Sequence, residues 1–444
     1  MRVLAYGLGR SGLALLELCR KQGHELYFME NRANGADIDA ASALGATRLR
    51  EPTDAARIAQ VCVAAPGVPI DHPDLQTFRD HGVEVIGEVE WVYRTIDCEI
   101  IGITGTAGKG TVTSWLTYVL KANGIDAYAG GNIDPALARV ARPDSTAVVE
   151  LSSFQLERCP TLRPKVAAVL NLGVDHLDRH RDVSTYHRAK RNLISNLQDE
   201  DLFVYNADDP TLRSWAREST ARTAGFSLQG PAAAWRDANG DLWLHGELLL
   251  NTAQLAVEGS HNHANALAVA LLAYGAGLDV ERIRGALPGF TGLLGRYSVV
   301  ARTDRIAFIE DSIATRELAV RAALEATDGP VVWIAGGRSK GADLQPLEDL
   351  VRERVRLFVG IGEAGEPFAR VAGQWVPAHV VTEPDGRAAL REAVRLACRT
   401  LEQDGGTVLF APLAASFDQF SDYRERAQVF REVVQEEVQW TPSS

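Results

Sequence analysis

The sequence predicts an α/β protein of three segments, each built on a parallel sheet. Three observations predict this. Short apolar runs rich in β-branched residues alternate with stretches of helical periodicity along the chain. Glycine-rich turns stand where such a run ends and a helix begins, over residues 7–12 and 105–108. At 444 residues, 46% of them hydrophobic and 23% charged, the chain is too long for one core and has a globular composition.

Segment one, residues 1–88, opens with a strand over 3–6. Gly7-Leu8-Gly9-Arg10-Ser11-Gly12 follows, then a helical pattern to Gln22 that Gly23 stops. A second strand over 25–29 ends at Glu30. A G-x-G-x-x-G turn between strand and helix, with an acid 18 residues after its last glycine, reads as a Rossmann-like nucleotide half-site with Glu30 near a ribose. The plainer reading is a tight strand–helix turn. Ala64-Ala65-Pro66-Gly67-Val68 ends a strand over 61–63 and forms a second rim of the same crevice.

Segment two, residues 89–291, holds the most informative motif, Gly102-Ile103-Thr104-Gly105-Thr106-Ala107-Gly108-Lys109-Gly110-Thr111-Val112-Thr113. An apolar strand leads into a glycine turn, a lysine, and a helix with apolar residues at Val112, Trp115, Leu116, Val119 and Leu120. That spacing gives one buried face, and Asn123-Gly124 stops the helix. Strand, glycine turn, lysine and helix are the layout that wraps a nucleotide triphosphate. Against G-x-x-x-x-G-K-[ST], Ile103 stands at the first glycine and Gly110 at the hydroxyl position, so Thr111 or Thr113 is left to supply the hydroxyl.

Further strands are expected over 147–151, 166–171 and 202–206, and residues 231–246 read as a loop or hairpin turning at Asn239-Gly240. Glu150 ends one strand, beside Ser152-Ser153-Phe154-Gln155. It could hold Mg²⁺, or the serines could cap a helix and leave Glu150 solvated. Asp175-His176-Leu177-Asp178-Arg179-His180 could bind a metal other than zinc or be clustered surface polars. His261-Asn262-His263-Ala264-Asn265 precedes an apolar helix over 266–272 and reads as a cap with half-buried amides.

Segment three, residues 292–444, has strands expected over 305–310, 331–335, 357–360 and 407–411. Arg338, Lys340 and Ser416 fall just after strand ends, where open α/β sheets bind ligands, and would suit a small carboxylate.

The bulk composition excludes some classes. A net charge of −12 argues against a nucleic-acid partner. No apolar stretch reaches the roughly 20 residues that span a bilayer. Five scattered cysteines without metal-ligand spacing fit a reducing cytoplasm. The chain enters its first strand almost at once, so no signal peptide is expected.

Taken in order, these motifs resemble the Mur ligase family of ATP-dependent amide-bond synthetases. The resemblance runs through Gly105 to Lys109, Gly131-Asn132-Ile133, Glu150 to Gln155, Asn171 with Asp175 to Arg179, Asn206-Ala207-Asp208-Asp209, His261-Asn262, Arg296, Asp311-Ser312, Lys340 to Asp343 and Ser416 to Phe420. It implies an N-terminal Rossmann-like domain for a uridine nucleotide, a central ATP-binding domain with a mostly parallel sheet, and a C-terminal Rossmann-like domain for the incoming amino acid. The short first segment favours the branch that adds D-glutamate to UDP-N-acetylmuramoyl-L-alanine through an acyl phosphate.

By the same resemblance, Arg10, Ser11, Glu30, Asn31 and Arg32 would line the uridine diphosphate site, and Asn132, Ser152 and Gln155 the rest of that substrate. Gly105, Thr106, Gly108, Lys109 and Thr111 would hold the phosphates of ATP, and Asn265 its adenine. Arg296 and Asp311 would hold the remainder of the nucleotide. Glu150, His176, Thr111 and Lys190, the last as a carbamate, would serve two magnesium ions. Thr315, Lys340, Ser416 and Tyr423 would bind D-glutamate. A monomer is expected, with no membrane insertion.

The pattern is broken at Ala107, Gly110, Gly295, Ile313, Arg316 and Ala414, where the family usually carries other residues. A sister ligase such as a folylpolyglutamate synthetase, or a nucleotide-binding regulator with weakened catalysis, are the other readings. A dehydrogenase fits segment one alone and leaves Lys109 and Lys190 without a role.

Overall fold

A computed structural model describes residues 1–31, 35–257, 259–339 and 341–440. It is mixed α/β, and the chain separates into two compact units, Met1–Thr291 and Gly292–Ser444.

The first unit holds two sheets. Among the described residues the first has five strands in the order Thr47–Arg48, Glu25–Met29, Arg2–Tyr6, Val61–Ala64 and Glu84–Ile86, all parallel. Tyr6 stands opposite both Met29 and Ala64, so the glycine turn, Glu30 and the turn after Ala64 lie at one carboxyl edge. The helix Gly9–Lys21 follows the turn and ends at Gln22, with Gly23 at φ +76°.

The second sheet runs Glu247–Asn251, Asp241–Leu244, Ala234–Arg236, Arg222–Ser227, Leu202–Asn206, Val166–Val169, Glu99–Thr104, Thr146–Glu150 and Ala127–Gly131. Ile103 pairs with Glu150, Thr104 with Val169, and Gly131 with Glu150. This register gathers the glycine turn, Glu150, Asn132 and Asn171 at the carboxyl ends of neighbouring strands. The helix Lys109–Ala122 buries Val112, Trp115, Leu116, Val119 and Leu120 completely. Trp115 also stacks on Phe290 at 5.0 Å between ring centroids and donates its indole N–H to the Leu287 carbonyl. One buried apolar cluster continues from Val3 and Phe28 through Val89 and Trp91 to Val149 and Phe203, and so joins the two sheets into one body.

The second unit has a six-stranded sheet among the described residues, in the order Ser298–Arg302, Ile306–Glu310, Gly406–Phe410, Val331–Gly336, Val355–Ile361 and Ala378–Val380. Apolar clusters cover it on both faces, one around Trp333 and Phe358, the other around Ile334, Phe410 and Phe430.

Two expectations need correction. The sheets are not parallel throughout. The strands at 234–236, 241–244 and 247–251 form an antiparallel meander that extends the second sheet, and Ser298–Arg302 is antiparallel to Ile306–Glu310. Tight turns connect these strands, and a parallel pairing needs a crossover that they lack. The helix expected over 266–272 begins earlier, at Ser260, and runs to Gly275, so His261, Asn262, His263 and Asn265 lie within its first turns.

Candidate active site

The glycine turn after Glu99–Thr104 is braced from the neighbouring strand end. Asn171 Oδ1 accepts the amides of Thr106 and Ala107, at 2.9 and 2.8 Å, and its Nδ2 donates to the Ala107 carbonyl at 3.0 Å. The Thr106 hydroxyl accepts from the Gly173 amide at 2.9 Å and lies 3.3 Å from the Tyr186 hydroxyl. Gly108 takes φ +81° as it enters the helix, and a Cβ there would lie 2.7 Å from Asn265 Oδ1. Only glycine meets both conditions. The first intrahelical bond runs from the Val112 amide to the Gly108 carbonyl. The amides of Gly110 and Thr111 precede that bond, and a helix start of this kind suits an anion. Of the two hydroxyls that could replace one at Gly110, Thr113 is fully buried and Thr111 half-buried, so Thr111 is the reachable one.

Two ammonium groups converge on one oxygen. Lys109 Nζ donates to the carbonyls of Gly105 and Thr106 at 2.9 and 3.1 Å, and Lys190 Nζ donates to the same Gly105 carbonyl at 2.8 Å. Lys190 comes from the helix Val183–Arg191, is 1% exposed, and lies 4.5 Å over the Tyr186 ring. Burial first, and then the neighbouring Lys109 charge, lower the Lys190 pKa to about 7. A neutral Lys190 amine is thus accessible near neutral pH.

Glu150 closes its strand at 4% exposure and is not the solvated carboxylate of the plainer reading. Its Oε1 accepts from Asn132 Nδ2 at 2.6 Å, and its Oε2 is buried with no donor among the described residues. A buried carboxylate oxygen without a donor is costly unless a cation meets it. The residues present therefore fit a divalent cation at this point. The serine cap also exists: Ser152 and Gln155 form a capping box on the helix Ser153–Leu156. His176 sits at φ +52° with its ring 4.9 Å from Phe154 and 6.2 Å from Tyr186, and its Nε2 lies 3.4 Å from Asp175. Among the described residues no three His, Cys, Asp or Glu gather as a ready metal site.

At the edge of the first sheet, Glu30 Oε2 accepts the Leu8 amide at 2.8 Å and so supports the glycine turn. Asn31 donates to the Tyr6 hydroxyl at 3.2 Å, and Ser11 lies half-buried in the first turn of the helix that follows. Arg10 donates to the Asn132 carbonyl at 2.9 Å, which links this edge to the residue that holds Glu150. Arg32 lies outside the described residues. Two cations, Arg158 from the turn after the helix Ser153–Leu156 and Arg179 from the helix Leu177–His180, donate to the Val68 carbonyl at 2.5 and 2.7 Å and hold the second rim. Sequence reasoning gave these arginines and the bracing amide of Asn171 no role. A polar residue directly after a buried strand was the available signal for Asn171.

In the second unit Asp311 follows the strand Ile306–Glu310. Its Oδ1 accepts the Tyr297 amide at 3.1 Å, and burial pushes its pKa up to about 7. Arg296 is exposed, with its charge near enough to oppose that rise. Ser416 is buried, whereas Thr315 and Tyr423 are half-buried. Lys340 lies outside the described residues.

Comparison with known proteins gives the family. Residues 1–87 match the model of the Mur ligase MurD-like N-terminal domain, and residues 103–273 that of the Mur ligase middle domain. The chain is 44% identical to the UDP-N-acetylmuramoylalanine--D-glutamate ligase of Thermus thermophilus, with 99% of each covered. It is 41% identical to the enzyme of the same name from Deinococcus radiodurans, over 98% of this chain and 92% of that one. The fold is similar to the UDP-N-acetylmuramate-alanine ligase of Thermotoga maritima, with a TM-score of 0.53 at 18% identity over 98% of this chain and all of that one. It is also similar to MurF from Acinetobacter baumannii, with a TM-score of 0.55 at 18% identity over 98% and 93% of the two chains.

Proposed function

The chain belongs to the Mur ligase family, and from that premise we infer that it joins D-glutamate to UDP-N-acetylmuramoyl-L-alanine with ATP, in the synthesis of peptidoglycan precursors. The observation that carries the reading is the convergence of Lys109 and Lys190 on the Gly105 carbonyl, at the start of the helix Lys109–Ala122. Two cations at one oxygen repel each other. A polyphosphate at Lys109, or loss of the Lys190 charge, relieves that repulsion.

The alanyl carboxylate attacks the γ-phosphate, ADP leaves, and an acyl phosphate remains. The amine of D-glutamate then attacks the activated carbonyl, and phosphate leaves. Lys109 and the amides of the helix start stabilise the negative charge that collects on the phosphoryl oxygens. Asn171 keeps the turn in shape, and Thr111 supplies the hydroxyl missing at Gly110. Asn132 holds Glu150 so that Oε2 faces a cation. We assign magnesium to Glu150 and His176, where it would offset phosphate charge. A carbamate on Lys190 would turn a cation into an anionic ligand, and the lowered pKa of that amine supports it. The division into domains at 88/89 and 291/292, and the assignment of Arg296 and Asp311 to the nucleotide and of Thr315, Ser416 and Tyr423 to D-glutamate, belong to the same proposal. Among the described residues no helix is long and apolar enough to cross a membrane. The five cysteines are free thiols, which supports a cytoplasmic setting.

Lys109→Ala tests the reading. Turnover should fall on the order of a hundredfold or more with the circular dichroism unchanged. Near-normal turnover would remove the phosphate-loop assignment.

A further inference from the structure

The second unit contains another G-x-G-x-x-G, Gly360-Ile361-Gly362-Glu363-Ala364-Gly365, where the strand Val355–Ile361 meets the helix Gly362–Ala372. Its packing is that of a dinucleotide turn. A Cβ on Gly360 would lie 2.3 Å from the Gly365 carbonyl oxygen, so strand and helix touch through their backbones. Such a turn normally presents its helix N-terminus to a phosphate.

Here the chain itself occupies that place. The Glu363 amide donates to Asp418 Oδ2 at 3.0 Å. Gly362 is at φ +63°, and a Cβ on it would stand 2.3 Å from the same oxygen. Asp418 Oδ1 is buried and accepts from no donor among the described residues. The turn that carries Asp418 also carries Ser416, whose carbonyl accepts the amides of Gln419 and Phe420 at 3.2 and 2.9 Å. Buried Arg426 donates to the Ala414 carbonyl at 3.1 Å, and Asp418 is the largest of the charges that favour its ionised form. The turn is thus tied to Arg426 on one side and to the helix N-terminus on the other.

We infer that Asp418 is a positioning residue: its carboxylate fills the phosphate place of this second glycine turn and thereby fixes the segment that carries Ser416. The inference rests on the reading of Ser416 as a contact for D-glutamate. It also leaves that turn without room for a nucleotide phosphate.

The test uses the full chain with Asp418→Ala and Asp418→Asn. Steady-state kinetics vary D-glutamate and ATP separately, and amide hydrogen exchange is followed at Gln419 and Phe420. Asp418→Ala should raise the KM for D-glutamate about tenfold and leave that for ATP unchanged. Exchange at the two amides should quicken by about the same factor, because the turn loses its anchor. Asp418→Asn keeps a neutral acceptor and should show a smaller change in both. Acetate, a carboxylate that fits the vacated helix end, should recover part of the loss in Asp418→Ala. Wild-type KM together with wild-type exchange in Asp418→Ala overturns the inference. If that variant does not fold, Asp418→Asn decides by the same two readings. A wild-type protein without D-glutamate-dependent ADP release would refute the functional reading, while exchange would still decide the role of Asp418.

Discussion

Lys190 shows how one residue's environment changes its chemistry. On a surface its amine is protonated up to about pH 10.4. Buried beneath the glycine turn, 2.8 Å from the Gly105 carbonyl and beside Lys109, it has its pKa lowered to about 7. The sign follows from the neutral form: a lowered pKa makes free amine available above about pH 7. Carbon dioxide adds to that amine, a proton is released, and a carbamate forms. With ¹³C-labelled bicarbonate, the protein should give a carbamate resonance that grows as pH rises through 7 and is lost in Lys190→Ala. A wild-type protein without that resonance at pH 8 would leave Lys190 an unmodified amine. The lysine was legible in the sequence through family resemblance alone. Its depressed pKa was not, because Lys109 and Lys190 are 81 positions apart in the chain and meet only in the fold.

At the scale of elements, the phosphate turn depends on three consecutive features: a strand end, a left-handed glycine and a helix start. Gly108→Ala should destabilise the fold by about 1–2 kcal/mol for the left-handed backbone alone. It should also weaken ATP binding, since the new Cβ would meet Asn265 Oδ1 at 2.7 Å. Thermal melts and ATP titrations check this, and unchanged values in both would mean that the turn tolerates a side chain. This element was legible because a buried strand, a glycine turn and an amphipathic helix each leave a local pattern. The antiparallel strands 234–251 and 298–302 were not read as part of the sheets. They are short hairpin pieces: the turn at Asn239-Gly240 was legible, but runs of three to five residues carry too little alternation to show that they extend a sheet. The spacing of Gly360 to Gly365 is legible in the sequence, but what fills the turn is not. Asp418, which completes that turn, stands 53 residues beyond Gly365.

For the whole molecule, the claim is that two separately built units serve one reaction. The first unit gathers Lys109, Glu150, Asn132 and Lys190 at the carboxyl edge of its second sheet, with the Gly7 turn and Glu30 at the carboxyl edge of its first. The second unit places Asp311, Ser416 and the filled glycine turn at the carboxyl edge of its own sheet. The order of motifs along the chain made this plan readable, whereas the side-chain contacts that brace each edge had to come from the fold. The most direct test is ADP release by the purified protein with ATP, Mg²⁺, UDP-N-acetylmuramoyl-L-alanine and D-glutamate, each omitted in turn. Release is expected only when all four are present. Release without D-glutamate or without the uridine substrate, or none with all four, would contradict it.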